Sequence, residues 1–370
     1  MHALSLVVSS GDCRTTCSFV LVSLLLSAGC TGEPTEQDSD DRFRPTAAAT
    51  LSTGSPGKDE DPSVLRARDG TLHVAWFSDR TASGDIYITR VERGTEWLPP
   101  IRVTTDPGGD FNPNLIQDAA GVFHLAWFRW TAPFVGHIFY NRSADGATWD
   151  PAAEVQVTVA SEVDDWVPTL VEAADGRLLI YFASAKRPSS GGVTDLYVTE
   201  RNPGEDRWSD AVPVTGLNSP EEHDHLPYAA RVESDIAITW VRHDTAEPLP
   251  WLNRKSDVYF ATSADGRVWT SPLQVTRESG LVVNLFPALY AESGDDWHLN
   301  WLSTLGGDPE LYEVAVAAAG QYPAGLTRIA AVGAGYSHRI VYTGSRDVYL
   351  GVFVSGPDGA QDIAYRFFQR

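Results

Sequence analysis

The residues best suited to chemistry lie in two short clusters. The clusters comprise His223, Asp224 and His225, followed by Arg242, His243 and Asp244. Side chains two apart on a strand point the same way, so His223 and His225 share one side and Asp224 lies on the other. With His243 they could hold a metal ion, or supply the acid/base pair of a polysaccharide lyase. The alternative is that these histidines bond neighbouring loop carboxylates, and we expect no other cofactor.

The elements that position these clusters belong to a pattern that recurs five times, with a sixth copy in fragments. Each copy opens on a proline, namely Pro62, Pro113, Pro168, Pro227 or Pro287. An aromatic inside an apolar run follows, namely Trp76, Trp127, Phe182, Trp240 or Trp301. A second aromatic comes later, namely Trp97, Trp149, Trp208, Trp269 or Tyr322. Repeats at the spacing of these prolines, each with four short strands, predict an all-β propeller of antiparallel blades.

The sixth copy determines the expected number of blades. The segments 346–353 and 362–365 match the second and third strands, and Arg370 ends the sequence before a fourth strand. Leu51-Ser52-Thr53 matches the missing outermost strand, so we expect the N-terminal strand to close the last blade. Such closure removes the exposed sheet edge. We therefore predict six four-stranded blades over residues 46–370.

The first 45 residues differ from the repeats. An apolar run at 19–26 is too short to span a bilayer comfortably, and small residues then lead to Cys30. We interpret 1–30 as a signal peptide. Its end resembles a bacterial lipobox, which implies that Cys30 is lipidated. The acidic stretch 31–45 is expected to be a flexible tether.

Cysteine usage and charge indicate the compartment and limit the partners. The three cysteines, Cys13, Cys17 and Cys30, all lie in the leader, so the propeller can form no internal disulfide. We expect an exported monomer held at the bacterial cell envelope by its lipid, with secretion as the alternative. A net charge of −21 argues against nucleic acid as a partner and against direct adhesion to anionic membranes.

Two turns carry a recognisable motif. They contain Ser143, Asp145, Gly146 and Trp149 in one, and Ser263, Asp265, Gly266 and Trp269 in the other. Asp can bond the amides of its own turn, Gly supplies a positive φ, and Trp anchors the turn to the blade. Both turns resemble the Asp box of bacterial neuraminidase repeats. The resemblance implies a sialidase-like six-bladed propeller with these turns in structural roles, on the face opposite the active site.

The same resemblance implies what an exo-sialidase would need. That family uses three arginines on the substrate carboxylate, an aspartate acid/base, and a tyrosine nucleophile with its glutamate, for which Tyr228, Tyr290 and Tyr336 are the candidates. The first arginine normally lies in an F-R-I-P motif on the opening strand. This chain has Glu60-Asp61-Pro62-Ser63 there, and Phe43-Arg44-Pro45 lies upstream in the expected tether.

The loops before the first strand and after the second strand of each blade share one face, where propeller ligands converge. Candidate ligand-binding residues on that face are Arg80, Arg129, Trp130, Arg187, His223, His225, Arg242 and Arg339. Mixed charged and aromatic groups suit a glycan or another envelope component. The alternative is that these loop charges pair with one another.

We therefore expect a propeller that presents a glycan-binding mouth and that is a binding module rather than an enzyme. Three alternatives stay open at this point. They are an exo-sialidase-type glycoside hydrolase, a polysaccharide lyase and a protein-interaction scaffold. If the chain is an enzyme, His243, Asp244 and Asp224 are the catalytic candidates.

Overall fold

A computed structural model describes most of the chain from Arg42 onward. The described ranges are 42–52, 56–81, 83–133, 135–160, 163–185, 193–232, 234–243, 255–291, 297–316, 325–329, 337–345, 347–357 and 360–370. Strands account for nearly all regular structure within them. Among these residues, no helix is long and apolar enough to cross a membrane.

The strands follow one another in sets of four. A short strand, β1 (Ala49–Thr50), comes first, followed by β2 (Asp59–Arg66), β3 (Leu72–Ser78), β4 (Asp85–Val91) and β5 (Ile101–Arg102). Next come β6 (Asp110–Gln117), β7 (Phe123–Ala132), β8 (Val135–Ser143), β9 (Val155–Gln156), β10 (Asp164–Glu172), β11 (Leu178–Ala185), β12 (Asp195–Arg201) and β13 (Val212–Pro213). The last are β14 (His223–Val232), β15 (Asp235–His243), β16 (Ser256–Ser263), β17 (Leu273–Gln274), β18 (Asn284–Ala291), β19 (Trp297–Ser303), β20 (Glu310–Ala315), β21 (Thr327–Arg328), β22 (His338–Tyr342), β23 (Val348–Ser355) and β24 (Asp362–Gln369).

These strands form an all-β propeller, but not the six separate sheets expected from the sequence. Four sheets have four strands each, in the orders β2-β3-β4-β5, β14-β15-β16-β17, β18-β19-β20-β21 and β1-β24-β23-β22. The fifth sheet has eight strands, because a parallel bridge between Asp164 and Gly136 joins β6–β9 to β10–β13. Glycine permits this close approach, since a Cβ on Gly136 would lie 2.8 Å from the Asp165 carbonyl oxygen.

The N-terminal strand pairs with the last strand, at a different position from the one expected. Ala49 lies opposite Tyr365 and Thr50 opposite Ala364. The expected strand Leu51-Ser52-Thr53 follows this pairing, and Thr53 lies outside the described residues. Ser52 accepts a bond from the Ile363 amide at 2.9 Å, as Thr104 does from the Ile86 amide. The two-residue strand therefore precedes the capping hydroxyl, and the sequence match was displaced by one residue.

The packed body begins earlier than the expected start at residue 46. Phe43 is 1% exposed, stacks on Phe367 at 5.1 Å between ring centroids, and donates its amide to Ser345 Oγ at 3.1 Å. An aromatic ring with these contacts belongs to the core. Phe43, expected from the sequence to lie in the tether, therefore belongs to the packed body.

The two repeated aromatics pack in different ways. Trp76, Trp127, Phe182, Trp240 and Trp301 are at most 1% exposed and lie on the second strands of their sets. The later aromatics contact the preceding set edge to face, as in Trp97 on Tyr365, Trp208 on Tyr140 and Trp269 on Tyr181. The first kind fills each blade, and the second fixes each blade to its neighbour.

Each proline that opens a repeat follows a residue with positive φ. These residues are Asp61, Asn112, Val167, Leu226 and Phe286, with φ between 48° and 54°. Asp and Asn tolerate the left-handed region, whereas it strains the β-branched Val167. The pairing register shifts at each of these positions, as between Glu60 and Ser63. All five residues line the central channel at one level, so the bulge directs them toward the axis.

Candidate functional site

The face on which β2, β6, β10, β14 and β18 begin is called the entry face, and the opposite one the turn face. On the entry face, an acid at the start of the first strand holds a tryptophan and an arginine. Asp110 accepts bonds from Trp127 Nε1 at 2.7 Å and Arg129 Nε at 2.6 Å. Two further sets of residues repeat this arrangement of an acid, a tryptophan and an arginine. They are Asp59 with Trp76 and Arg80, and Asp224 with Trp240 and Arg242. We call these three sets the brackets.

Arg129 shows how strongly a bracket holds its charge. The residue is 4% exposed, bonds Glu154 as well as Asp110, and lies 4.3 Å from the centroid of the Phe139 ring. Burial alone would lower the pKa of Arg129, but the bonds that it donates to Glu154 and Asp110 outweigh burial and raise the pKa. Three candidate ligand-binding arginines, Arg80, Arg129 and Arg242, thus contact carboxylates of the propeller itself.

The catalytic candidate Asp224 is completely buried. Its two carboxylate oxygens accept bonds from Trp240, Arg242 and the Ser219 amide. These contacts match those of Asp59 and Asp110 in the other brackets, which favours a structural role. Of the other candidates, Arg187, Asp244 and Cys30 lie outside the described residues. Trp130 is partly buried and packs edge to face on Phe128 at 5.5 Å.

The structure brings the three candidate histidines together. The His243 ring lies 4.9 Å from the His223 ring and 4.6 Å from the His225 ring, between centroids. His225 and His243 are buried, and His223 Nδ1 accepts the Thr194 amide at 2.9 Å. In the described part of the chain, no group of three or more His, Cys, Asp or Glu residues could hold a metal ion. The cluster is a packed aromatic contact on the entry face.

The two Asp-box-like turns are held locally. Asp145 accepts the amides of Ala147 at 2.9 Å and Thr148 at 2.7 Å, and these bonds lower the pKa of Asp145. Asp265 repeats this contact with the amides of Arg267 and Val268. Ser143 and Ser263 cap Gly146 and Gly266, which have positive φ. Trp149 and Trp269 pack in hydrophobic clusters.

A ring of equivalent residues surrounds the channel, one from the first strand of each set. By register the ring consists of Ser63, Asn114, Thr169, Tyr228, Ala288 and Arg339. Three members bond the next strand around the axis. Ser63 accepts the Leu115 amide at 3.0 Å, Asn114 the Leu170 amide at 2.8 Å, and Thr169 the Ala229 amide at 2.9 Å. We call this set of six the axial ring.

The other half of the axial ring carries two large polar side chains, Tyr228 and Arg339. The guanidinium carbon of Arg339 lies 4.9 Å from the centroid of the Tyr228 ring. Both residues line a cavity of about 20 Å³ together with Asp61 and Asn112. That volume suits one water molecule. Asp61, Asn112, Tyr228 and Arg339 are called the axial cluster.

The axial cluster differs from the brackets in its arginine, because burial raises the pKa of the carboxyl in both, that of Asp110 to about 6, while the pKa of Arg129 is raised and that of Arg339 is lowered. Burial, followed by the charge of Glu60, raises the pKa of Asp61 to about 7, although Arg339 and bonds from Asn112 oppose the rise. Burial lowers the pKa of Arg339 and raises the pKa of Tyr228. A carboxyl group with this pKa can either donate or accept a proton near neutral pH. The cluster therefore has acid/base capacity beside a cation.

Sequence reasoning named Arg339 and Tyr228 but did not identify Asp61 or Asn112 as site residues. Of the tyrosine candidates, Tyr290 instead bonds Glu313 at 2.8 Å, and Tyr336 lies outside the described residues. Arg339 is the one candidate arginine that lines the described cavity, so the three converging arginines of a sialidase are not found among the described residues. The sequence signal that points to Asp61 and Asn112 is their position directly before the proline of a repeat. The residue there is acidic or amide-bearing in the first two repeats only.

No family model matches the chain, and neither does any curated protein. Solved structures do match. A protein of unknown function from Dyadobacter fermentans is 15% identical, with 88% of this chain and 98% of that chain covered and a TM-score of 0.66. The α-L-arabinofuranosidase Arb93A of Fusarium graminearum and the α-L-arabinanase of Penicillium chrysogenum are each 13% identical over the same shares, with TM-scores of 0.65 and 0.66. At this identity the similarity shows a shared propeller fold.

Proposed function

We propose that the protein binds a glycan at the entry-face mouth of its channel, over the axial cluster. The observation that carries this proposal is the division of the axial ring. Three positions use small polar residues to join neighbouring strands, whereas Tyr228 and Arg339 contact each other across the cavity. A buried guanidinium or phenol costs free energy unless it is hydrogen-bonded or paired, and a ligand bound over the cluster would supply further partners.

The chemistry of the axial cluster suits a sugar. Arg339 offers several N–H donors in a fixed plane, which match a carboxylate or a pair of hydroxyl groups. Asp61 can donate or accept because its pKa is about 7. Asn112 adds both a donor and an acceptor. The arabinobiose complex of the Penicillium chrysogenum arabinanase supports a carbohydrate ligand at the level of the shared fold.

The test measures thermal shift and product release with arabinan, sialosides, uronic-acid polysaccharides and neutral glycans. We expect at least one glycan to raise the melting temperature of the protein, and Arg339→Gln to abolish that shift. Arg277→Gln is the matched control, because Arg277 is exposed and its Nε bonds the Gln274 carbonyl away from the channel. Equal shifts in both variants would overturn the proposal. Silence with every glycan would favour the protein-interaction scaffold.

Glycoside hydrolysis is the second candidate, and the pKa of Asp61 favours it. Glycosidases pair a carboxylic acid of raised pKa with a second carboxylate. Asp61 has such a pKa, and the neighbouring Glu60 is partly exposed. Asp61→Asn separates the two functions, because Asn keeps a similar shape and tolerates positive φ. A hydrolase would lose turnover and keep binding, whereas a binding module would show no turnover in either form.

The finer architecture and the location belong to the same proposal. We propose six blades, two of which share the eight-stranded sheet, with β1 closing the last one onto β24. The hydrogen bonds of Asp145 and Asp265 support Asp-box repeats of the sialidase type.

Export as a monomer with a lipid on Cys30 remains our proposal, and mass spectrometry of the mature N terminus tests it. An unlipidated start beyond Cys30 would favour secretion.

A further inference from the structure

The turn-face end of the channel is a funnel of about 560 Å³. Its walls come from the second halves of the first strands, including Val64, Leu115, Leu170 and Val341. Asn114 and Tyr228 line both this funnel and the small cavity, so they lie between the two. Pockets that bind small molecules have volumes of roughly 300–1,000 Å³. The funnel is therefore large enough for a ligand of its own.

The funnel combines apolar walls with a cationic rim. Arg66, Arg68 and Arg231 line it and are exposed, whereas Glu172 is the one acidic residue of the described lining. Glu172 accepts the Ala119 amide at 2.9 Å and lies 3.7 Å from Arg231. The net charge of the whole chain is −21. Three arginines against one carboxylate thus form a local excess of positive charge on an acidic protein.

One arginine is held in place by the last sheet. Arg66 Nε donates to the Thr343 carbonyl at 2.9 Å, and its guanidinium lies against Gly344. A Cβ at Gly344 would lie 2.2 Å from Arg66 Nη2, so glycine makes room for the side chain. A guanidinium with a fixed position loses less conformational entropy when it binds an anion.

We propose that the funnel binds an amphipathic organic anion, distinct from the glycan of the entry face. The apolar body would lie against the aliphatic walls, and the carboxylate, sulfonate or phosphate head would bond the arginines at the rim. A neutral sugar fits poorly, because the deeper walls offer few polar partners. A cation is disfavoured by the three arginines.

The test uses the purified protein and two fluorescent probes. One is 8-anilinonaphthalene-1-sulfonate, and the other is N-phenyl-1-naphthylamine, which has the same aromatic body without the sulfonate. We expect the anionic probe to bind one site, with an affinity that falls as salt is added, and dodecanoate to compete with it. Near-ultraviolet circular dichroism confirms that each sample is folded, because partly unfolded protein also binds such probes.

Two kinds of variant separate the rim from the walls. Arg68→Gln and Arg231→Gln should each lower the affinity for the anionic probe by about tenfold, as expected for a lost hydrogen bond to a charged group. Neither should change the affinity for the neutral probe. Ala230→Trp should exclude both probes, since Ala230 lines the funnel and the indole would fill it. Arg277→Gln is the control and should change neither affinity.

Three outcomes would overturn the proposal. One is equal affinity for the anionic and the neutral probe. Another is an equal loss of affinity in the Arg277 control and in the Arg68 and Arg231 variants. The third is unchanged binding in folded Ala230→Trp protein, which would place the probe elsewhere on the surface.

Discussion

Arg129 and Arg339 both lie toward the entry face, yet their surroundings differ. Arg129 is enclosed by Asp110 and Glu154, which raise its pKa. Arg339 faces a tyrosine ring and a cavity, and burial lowers its pKa. The brackets occur three times, whereas the axial cluster combines residues from different repeats. A charge that is satisfied within a repeated contact stabilises the fold, and a charge beside a cavity is available to a ligand.

Arg129→Ala should cause the largest loss of stability. The substitution leaves the buried Asp110 carboxylate without its cation, and breaking such a pair costs about 3–5 kcal/mol. Chemical denaturation measures the free energy of unfolding. The loss should shrink as the pH falls below about 6, the pKa to which burial raises Asp110, because the protonated carboxyl no longer needs a cation.

Arg142→Ala is the matched control for Arg129→Ala. Arg142 is exposed and lies 3.5 Å from Asp206, also exposed, so its loss should cost less than about 1 kcal/mol. If both variants lost the same stability, the bracket would be no more than a surface ion pair.

Asp61→Asn gives the next largest effect, through pH. At pH values between 3.8, the ordinary pKa of Asp61, and about 7, its pKa in the folded protein, the folded protein keeps a proton on Asp61 that the unfolded chain has released. The free energy of unfolding therefore falls as pH rises through this window, by at most about 4 kcal/mol in total. Asn cannot ionise, so the variant should gain stability over the native protein as pH rises.

The measurement is the difference in melting temperature between Asp61→Asn and the native protein, from about pH 4 to about pH 8. Taking a difference cancels the other carboxyls with raised pKa, such as Asp195. A difference that stays constant across this range would show that Asp61 ionises normally, and the acid/base capacity of the axial cluster would be lost with it.

The brackets could largely be predicted from the sequence, since charge pairing within the loops is one of its two open alternatives. The arginines after the second strand are predicted either to bind a ligand or to pair with other loop charges, and Arg80, Arg129 and Arg242 pair with the acids at the start of the first strand. The register places Asp110 opposite Arg129 on adjacent strands, so they pair directly. Cross-strand pairing of opposite charges is a local rule that a repeat alignment can reveal.

The axial cluster could not be predicted in the same way. Asp61, Asn112, Tyr228 and Arg339 come from four different sheets or sheet halves, and only closure of the propeller brings them to one cavity. The pKa of Asp61 depends on that burial. Arg339 was harder to align, because its strand lacks the proline that opens the other repeats. The predicted strand position 51–53 was wrong for a local reason, because the hydroxyl that accepts the Ile363 amide belongs to Ser52.

Thr169→Val tests the bonding half of the axial ring. The side chain is 1% exposed and accepts the Ala229 amide, so valine leaves that buried donor without its bond. The expected loss is about 1–3 kcal/mol in free energy of unfolding. Thr131→Val is the control, because Thr131 is exposed and bonds only the Val135 carbonyl at 3.2 Å among the contacts described. Equal losses would mean that the axial ring does not join the strands.

Arg339→Gln should have the smallest effect on stability. It removes a contact with the Tyr228 ring that is worth roughly 0.5–2 kcal/mol, and a hydrogen bond from Arg339 Nη1 to the His338 carbonyl at 2.6 Å. It also removes a guanidinium whose burial is unfavourable, as its lowered pKa indicates. These terms oppose each other, so the free energy of unfolding should change by less than about 1 kcal/mol. A loss as large as that of Arg129→Ala would make Arg339 a structural residue, and the difference between bracket and axial cluster would disappear.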